Sequence, residues 1–129
     1  MRLLLDTHVL IWAVTEPDRL PPRVAKAVAA PRNAVYVSAA SAWEIAIKRA
    51  AGRLIFPIDE IDEILDRAAM EPLPVSIAHG VAAGALPRHH GDPFDRLLVA
   101  QAQIEDLVLV STDETMGRYD VRLFDREPR

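Results

Sequence analysis

The chain has 129 residues and a formal net charge of −4, because it carries 15 Lys and Arg side chains against 19 Asp and Glu, and half of its residues are hydrophobic. This length and apolar content predict a single globular domain over residues 1–129 and exclude a disordered chain. The absence of cysteine excludes disulfides, cysteine-ligated zinc and thiol catalysis. The acidic balance excludes a uniformly basic nucleic-acid-binding surface, although a local basic patch stays open.

The first half of the chain alternates short apolar runs with helical patterns. No apolar run approaches the roughly 20 residues needed to cross a bilayer, so we expect a cytoplasmic protein with no membrane partner. The predicted elements are a strand over 2–5, a helical turn or two through Ala13, a helix from Pro21-Pro22 to Ala30, a strand over 34–37, a helix over 41–51 closed by Gly52, and an amphipathic helix over 59–70.

The second half repeats the alternation. It predicts a strand over 73–77, a small helix over 78–86, a loop over 88–91, a helix over 93–105, a strand over 107–110, a short helix after Asp113 and a last strand over 121–124. Strands that read as continuous apolar runs are buried on both faces. The whole pattern therefore predicts an α/β three-layer sandwich, with a mostly parallel five-stranded sheet flanked by helices.

Four acidic residues occupy positions that the predicted strands and helices would bury or place in a binding site. Asp6 and Asp113 follow apolar strands, and ligands of parallel α/β sheets bind beyond the carboxyl ends of the strands. Glu44 and Asp95 lie in helices whose other residues are largely apolar. Burying an unpaired carboxylate is costly, so each of these acids must either be satisfied locally or face a polar pocket.

Each acid also has a local structural explanation, which the sequence leaves open. Ser41-x-x-Glu44 matches a capping box, and Glu44 stands four residues before Lys48, the spacing of a helical ion pair. Asp95 falls in the first turn of a helix that Asp92-Pro93 would begin. Acids that follow strands, as Asp6 and Asp113 do, are also typical helix N-caps.

Taken together, the four acids predict a cation site. Parallel neighbouring strands would bring Asp6 and Asp113 to one edge of the sheet, and the helix starts would bring Glu44 and Asp95 there too. Two carboxylates about 4 Å apart repel by roughly 4 kcal/mol at an effective dielectric of 20, so four cannot stay ionised without a cation. Oxygen ligands suit Mg²⁺ or Mn²⁺, and such sites hydrolyse phosphodiesters.

At these acids the sequence resembles the PIN-domain ribonucleases, specifically the VapC-type toxins of type II toxin–antitoxin pairs. The resemblance runs in the family's order over nearly the whole chain, although residues 53–87 carry no motif that matches. The matching stretches are Leu4-Leu5-Asp6-Thr7-His8, residues 38–48 (SAASAWEIAIK), residues 92–102 (DPFDRLLVAQA) and Val110-Ser111-Thr112-Asp113.

The resemblance implies a metal-dependent endoribonuclease that cleaves tRNA, rRNA or mRNA with one or two Mg²⁺ or Mn²⁺ ions. By motif, the metal-binding and catalytic acids fall on Asp6, Glu44, Asp95 and Asp113, with Asp92 a weaker candidate. The hydroxyl residue near the last acid falls on Ser111 or Thr112. The resemblance also implies a cognate antitoxin and a homodimer. Apolar residues of the early helices could form interfaces, or equally the core: Val9, Leu10, Trp12 and Val24.

Basic residues flank two of the acids, and an acidic protein needs such residues to attract RNA. They would form a basic rim around the acidic pocket, or simply a solvated helix face and an exposed loop; the candidates for substrate contact are Lys48, Arg49, Arg88, His90 and Arg96. His89 and His90 are interpreted as loop residues near substrate rather than metal ligands, and His79 as a surface residue. Trp43 and Phe94 are interpreted as core residues rather than base-stacking platforms.

Other functional classes fit the residues less well. A haloacid-dehalogenase-like phosphatase needs Asp-x-Asp, but residue 8 is His. A receiver domain needs paired acids before its first strand's Asp, and a dinucleotide-binding domain needs a glycine-rich first turn; neither pattern is present. The remaining alternative is a non-catalytic PIN-like binding module whose acidic pocket holds a basic peptide of a partner.

Overall fold

The structure, a computed structural model, describes residues 1–124. Its centre is a parallel sheet in the order β3-β2-β1-β4, with Leu5 opposite both Val37 and Val110. This register ends neighbouring strands at the same level, so the residues that follow them share one edge of the sheet. The strands are β1 (Arg2–Leu5), β2 (Ala34–Ser38), β3 (Met70–Leu73) and β4 (Val108–Val110).

Helices cover both faces of the sheet, as the predicted three-layer sandwich requires. Successive side chains of a strand point to opposite faces. Leu3 and Leu5 therefore pack in one core with Val9 and Ile45, while Leu4 packs in the other core with Leu98. The helices are α1 (Thr7–Thr15), α2 (Pro22–Ala29), α3 (Ala39–Ala50), α4 (Ile61–Arg67), α5 (Ile77–Ala85) and α6 (Pro93–Glu105). Short 3-10 turns occupy Pro17–Arg19, Ile58–Glu60 and Glu114–Arg118.

The predicted fifth strand over 121–124 is reduced to one bridge. Leu123 lies parallel to Leu109 of β4, which donates its N–H to the Arg122 carbonyl at 2.8 Å and accepts from the Phe124 N–H at 2.9 Å. The sheet within residues 1–124 therefore has four strands rather than five, with this segment as a minimal fifth edge.

The third strand begins earlier than the sequence predicts. The predicted helix over 59–70 ends at Arg67, because Ala69 adopts a left-handed conformation with φ 54°, and β3 follows at once from Met70 instead of from Leu73. Glycine usually takes such a helix-ending position, so an alanine gave no signal there. Pro72 fits β3 because this is an edge strand, where a missing N–H costs no ladder bond.

The interface residues proposed for the early helices mostly belong to the core. Val9 and Leu10 are completely buried in α1, and Val24 is nearly so in α2. No helix within residues 1–124 combines the length and the apolar character needed to cross a membrane.

Candidate metal centre

The register of the sheet places Asp6 and Ser111 side by side. The Asp6 N–H donates to the Val110 carbonyl at 2.9 Å, and the Ser111 hydroxyl donates to Asp6 Oδ2 at 2.5 Å. Asp6 also caps α1, because its Oδ1 accepts the Val9 N–H at 3.1 Å. Burial raises the pKa of Asp6, and the hydrogen bonds from Ser111 and Val9 offset only part of this rise. Asp6 can therefore cap α1 and also lie in a pocket shared with the other acids.

Asp95 enters the same edge from the first turn of α6. Asp92 begins this helix, because its Oδ1 accepts the N–H groups of Phe94 at 2.8 Å and Asp95 at 3.4 Å. The pKa of Asp95 is raised to about 7, first by burial and then by the negative charges of Asp92, Asp6 and Glu44. The acids that are distant in sequence therefore repel one another in the fold, as the cation-site hypothesis requires.

Asp113 follows β4 and caps the turn that begins at Glu114. Its Oδ1 accepts the Thr115 N–H at 2.9 Å, and its own N–H donates to the Ser111 hydroxyl at 3.0 Å. Partial burial acts to raise the pKa of Asp113, but hydrogen bonds from His90 and Thr115 outweigh it, and the pKa is lowered. Ser111 thus connects Asp6 to the backbone of Asp113.

Glu44 carries the clearest sign of a missing partner. Its side chain is nearly buried in α3, and Oε2 pairs with Lys48 Nζ at 3.0 Å. The other oxygen, Oε1, is buried and has no hydrogen-bond partner among residues 1–124. The predicted capping box is wrong, because Ser38 caps α3 and Ser41 instead accepts the Thr7 hydroxyl at 3.0 Å. A buried, unsatisfied carboxylate oxygen calls for a ligand.

His90 lies inside the acidic cluster. Its Nε2 is 2.8 Å from Asp113 Oδ2 and 3.1 Å from Asp95 Oδ2. One ligand atom from each of these three residues lies within 4.8 Å of the other two. The His90 backbone N–H donates to the Tyr119 hydroxyl at 2.8 Å. This bond ties the loop that contains His90 to the end of the 3-10 turn Glu114–Arg118. The sequence placed His90 near substrate but gave no sign of this contact.

Comparison with known proteins identifies the family and the fold. The family model described as PIN domain matches residues 3–122. The chain belongs to the PIN domain family. No curated protein sequence gives a significant match. Among solved structures, this PIN domain is similar to VapBC2 from Rickettsia felis bound to a promoter DNA fragment, at 17% identity and a TM-score of 0.71, over 95% of this chain and 96% of that chain.

Two further solved complexes have the same fold. FitAcB from Neisseria gonorrhoeae matches at 20% identity and a TM-score of 0.62, over 95% of this chain and 96% of that one. A toxin–antitoxin complex from Klebsiella pneumoniae matches at 18% identity and a TM-score of 0.56, over 86% of each chain. At such identities the likeness establishes a shared fold.

The basic candidates of this PIN domain differ in what they contact. Lys48 pairs with Glu44, and Arg49 pairs with Asp59 at 3.3 Å. Arg96 donates to the Ala83 and Leu86 carbonyls, both at 3.0 Å, at the end of α5. Such contacts satisfy carbonyls left open at a helix end, so Arg96 has a structural role in addition to any contact with substrate. Arg88 and Thr112 are exposed, and they stand two residues before His90 and one residue before Asp113 in the sequence.

Two side chains of the PIN domain lie where the sequence did not predict. Trp43, predicted as core, is 64% exposed, with its ring against Phe94 at 5.3 Å and 73°. His79, predicted at the surface, is buried: its Nδ1 accepts the Ser76 N–H at 2.9 Å and its Nε2 lies 3.0 Å from Glu105 Oε2. The polar Ser76 and Glu105, at capping and helix-end positions, were the only available signal for the buried histidine.

Proposed function

We propose that this PIN domain is a metal-dependent endoribonuclease and the cytoplasmic toxin of a VapC-type toxin–antitoxin pair. Asp6, Glu44, Asp95 and Asp113 would hold one or two Mg²⁺ or Mn²⁺ ions. The observation that carries this proposal is the partly buried carboxyl of Asp95, whose pKa is raised to about 7 by burial and by the charges of three other acids. A bound cation would favour the ionised form of Asp95 beside these other carboxylates.

The donor set fits such an ion. Carboxylate oxygens are what Mg²⁺ and Mn²⁺ prefer, and the buried Glu44 Oε1 has a free lone pair for a ligand. A bound ion would neutralise charge on the scissile phosphate and lower the pKa of an attacking water. The chain's own residues supply the positioning: Ser111 fixes Asp6, the Thr115 N–H fixes Asp113, and Lys48 fixes Glu44.

The basic and hydroxyl side chains near the acidic cluster suit contact with the phosphates of an RNA backbone. Arg88 and Thr112 are exposed and close in sequence to His90 and Asp113, while Lys48 and Arg49 lie in the last turn of α3. We propose that these side chains, with His90, Arg96 and Ser111, contact or orient an RNA substrate. Contacts of this kind to phosphates add affinity but little sequence selectivity, so they do not identify a tRNA, rRNA or mRNA target.

The similar solved structures support an antitoxin as a partner, because the Klebsiella pneumoniae chain was solved in a toxin–antitoxin complex. A homodimer stays a prediction. Exposed apolar side chains that a second copy or an antitoxin would cover lie away from the early helices: Trp43 and Ile47 on α3, and Ile77 and Val81 on α5.

The direct test is cleavage of an end-labelled RNA pool by the purified protein, with Mn²⁺ and with chelator. We expect fragments only with the metal, and a loss of at least 100-fold for Asp6→Asn, the range typical when a charged group of a catalytic site is removed. Asp66→Asn, on the exposed face of α4, is the matched control and should cleave as the wild type does.

Two results would contradict the proposal. Cleavage that survives Asp6→Asn would remove the acidic cluster from the reaction. Metal binding without any cleavage, together with binding of a basic peptide, would instead favour the non-catalytic module.

A further inference from the structure

We propose that His90 takes the place of a cation between Asp95 and Asp113 in the metal-free protein, and that it must withdraw before these two carboxylates can share a divalent ion. The inference rests on the metal site of the proposed function, but not on RNA cleavage. It concerns a side chain that would otherwise be counted among the ligands, since it forms a compact group with the same two acids.

The hydrogen bonds of the ring fix which nitrogen carries the proton. The Asp92 backbone N–H donates to His90 Nδ1 at 3.0 Å. A backbone N–H can only donate, so Nδ1 must present its lone pair, and the proton of the neutral ring lies on Nε2. The Nε2–H group is therefore the donor in the hydrogen bond to Asp113 Oδ2 at 2.8 Å, and Asp95 Oδ2 lies 3.1 Å from the same nitrogen. One ring nitrogen thus lies against both carboxyl groups.

This tautomer is the opposite of the one that a metal ligand needs. A histidine that binds metal through Nε2 gives that nitrogen's lone pair to the ion and donates the hydrogen of the other nitrogen to an acceptor. In His90 the other nitrogen accepts a hydrogen bond instead. To become a ligand, the ring would have to move its proton to Nδ1 and lose the bond from Asp92. His90 as it stands is a hydrogen-bond donor to Asp113.

A ring nitrogen that lies between two carboxyl groups competes with an ion for the same space. Carboxylate oxygens that hold an octahedral Mg²⁺ ion lie about 2 Å from it. His90 Nε2 already lies 2.8 Å from Asp113 Oδ2 and 3.1 Å from Asp95 Oδ2, so the ring leaves no room for an ion between these carboxyl groups. His90 is therefore an internal competitor, which lowers the apparent affinity of the ion.

Calorimetric titration of the RNA-free protein with Mn²⁺ tests this competition. We expect His90→Ala to bind Mn²⁺ about 10-fold more tightly, because the ion no longer has to displace a hydrogen bond to charged groups. His89→Ala is the matched control: His89 lies in the same loop but packs on the Tyr119 ring at 5.1 Å, and its replacement should leave the affinity unchanged.

Weaker or unchanged Mn²⁺ binding by His90→Ala would overturn the proposal, weaker binding because it would make His90 a ligand. Absence of binding by both proteins would overturn it as well. A second measurement guards against a misfolded variant: ¹⁵N spectra of the wild-type histidines should show the Nε2–H tautomer of His90 without metal and a changed signal at saturating Mg²⁺. A His90 signal that Mg²⁺ leaves unchanged would contradict withdrawal. Failure of RNA cleavage alone would affect only the proposed function.

Discussion

Replacing Asp95 with Asn should stabilise the metal-free protein while removing a proposed metal ligand. The carboxyl of Asp95 has its pKa raised from 3.8 to about 7 by burial and by neighbouring acids, so ionising it in the folded state is unfavourable. An amide of the same shape carries no charge to bury. The variant should therefore lack the free-energy cost of a buried, ionised carboxylate, which destabilises the wild type when no metal is bound.

The size of this effect follows from the two pKa values. A rise from 3.8 to about 7 corresponds to about 4 kcal/mol at 1.36 kcal/mol per pKa unit, once the group is fully ionised. The side chain is 17% exposed, so solvent screening removes little, and we take about 4 kcal/mol as the upper bound. For a domain of this size, 1 kcal/mol moves the melting temperature by about 4 °C, so the gain in melting temperature has an upper bound of about 16 °C.

The sign of the pH dependence is fixed by the same shift. Between pH 3.8 and about 7 the folded protein holds the Asp95 proton more tightly than the unfolded chain does, so the free energy of unfolding falls as pH rises through this window. The advantage of Asp95→Asn should be absent near pH 3.5 and largest above pH 7.

Denaturant melts in chelator at pH 3.5, 5, 6.5 and 8 measure this difference. Asp66→Asn on exposed α4 is the control and should stay within about 0.5 kcal/mol of the wild type throughout. Saturating Mn²⁺ should stabilise the wild type much more than Asp95→Asn. An Asp95→Asn variant that is no more stable at pH 8 than the wild type, or whose advantage does not shrink toward pH 3.5, would refute the reasoning.

Three further substitutions test the surroundings of the site. Ser111→Ala removes the hydrogen bond to Asp6 and so raises the pKa of Asp6 further. In Mn²⁺ titrations the variant should bind several-fold more weakly than the wild type at pH 6, and the difference between the two proteins should be smaller at pH 8. Arg96→Ala leaves carbonyls at the end of α5 without their donor and should cost about 1–3 kcal/mol in denaturant melts, and an unchanged stability would argue against this structural role. Arg88→Ala should weaken binding of non-cleavable RNA and reduce the slope of log affinity against log salt by about 1; an unchanged slope would remove Arg88 from the phosphate contacts.

The placement of Asp6 and Asp113 at one edge of the sheet could be predicted because it follows from rules of short range. Asp6 and Asp113 end apolar strands, and parallel strands in register must bring such residues to one edge. The strand β3 was misplaced because its start depends on the left-handed Ala69, a residue type that seldom ends a helix in this way.

The contacts of His90 and the exposure of Trp43 could not be predicted from sequence patterns for a different reason. His90 contacts Asp113, 23 residues further along the chain, and donates its N–H to the Tyr119 hydroxyl, 29 residues further along, so patterns of short range do not contain these contacts. The exposure of Trp43 has the same origin, since helical periodicity does not say whether a neighbouring element covers a face.

The proposed function requires that acids distant in sequence hold a divalent ion together. Crystals of the wild type soaked in Mn²⁺, measured at a wavelength where manganese scatters anomalously, test this requirement. We expect an anomalous peak about 2 Å from carboxylate oxygens of Asp6, Asp95 and Asp113, with the His90 ring moved aside. A peak only at exposed acids such as those of α4, or none at saturating Mn²⁺, would contradict it.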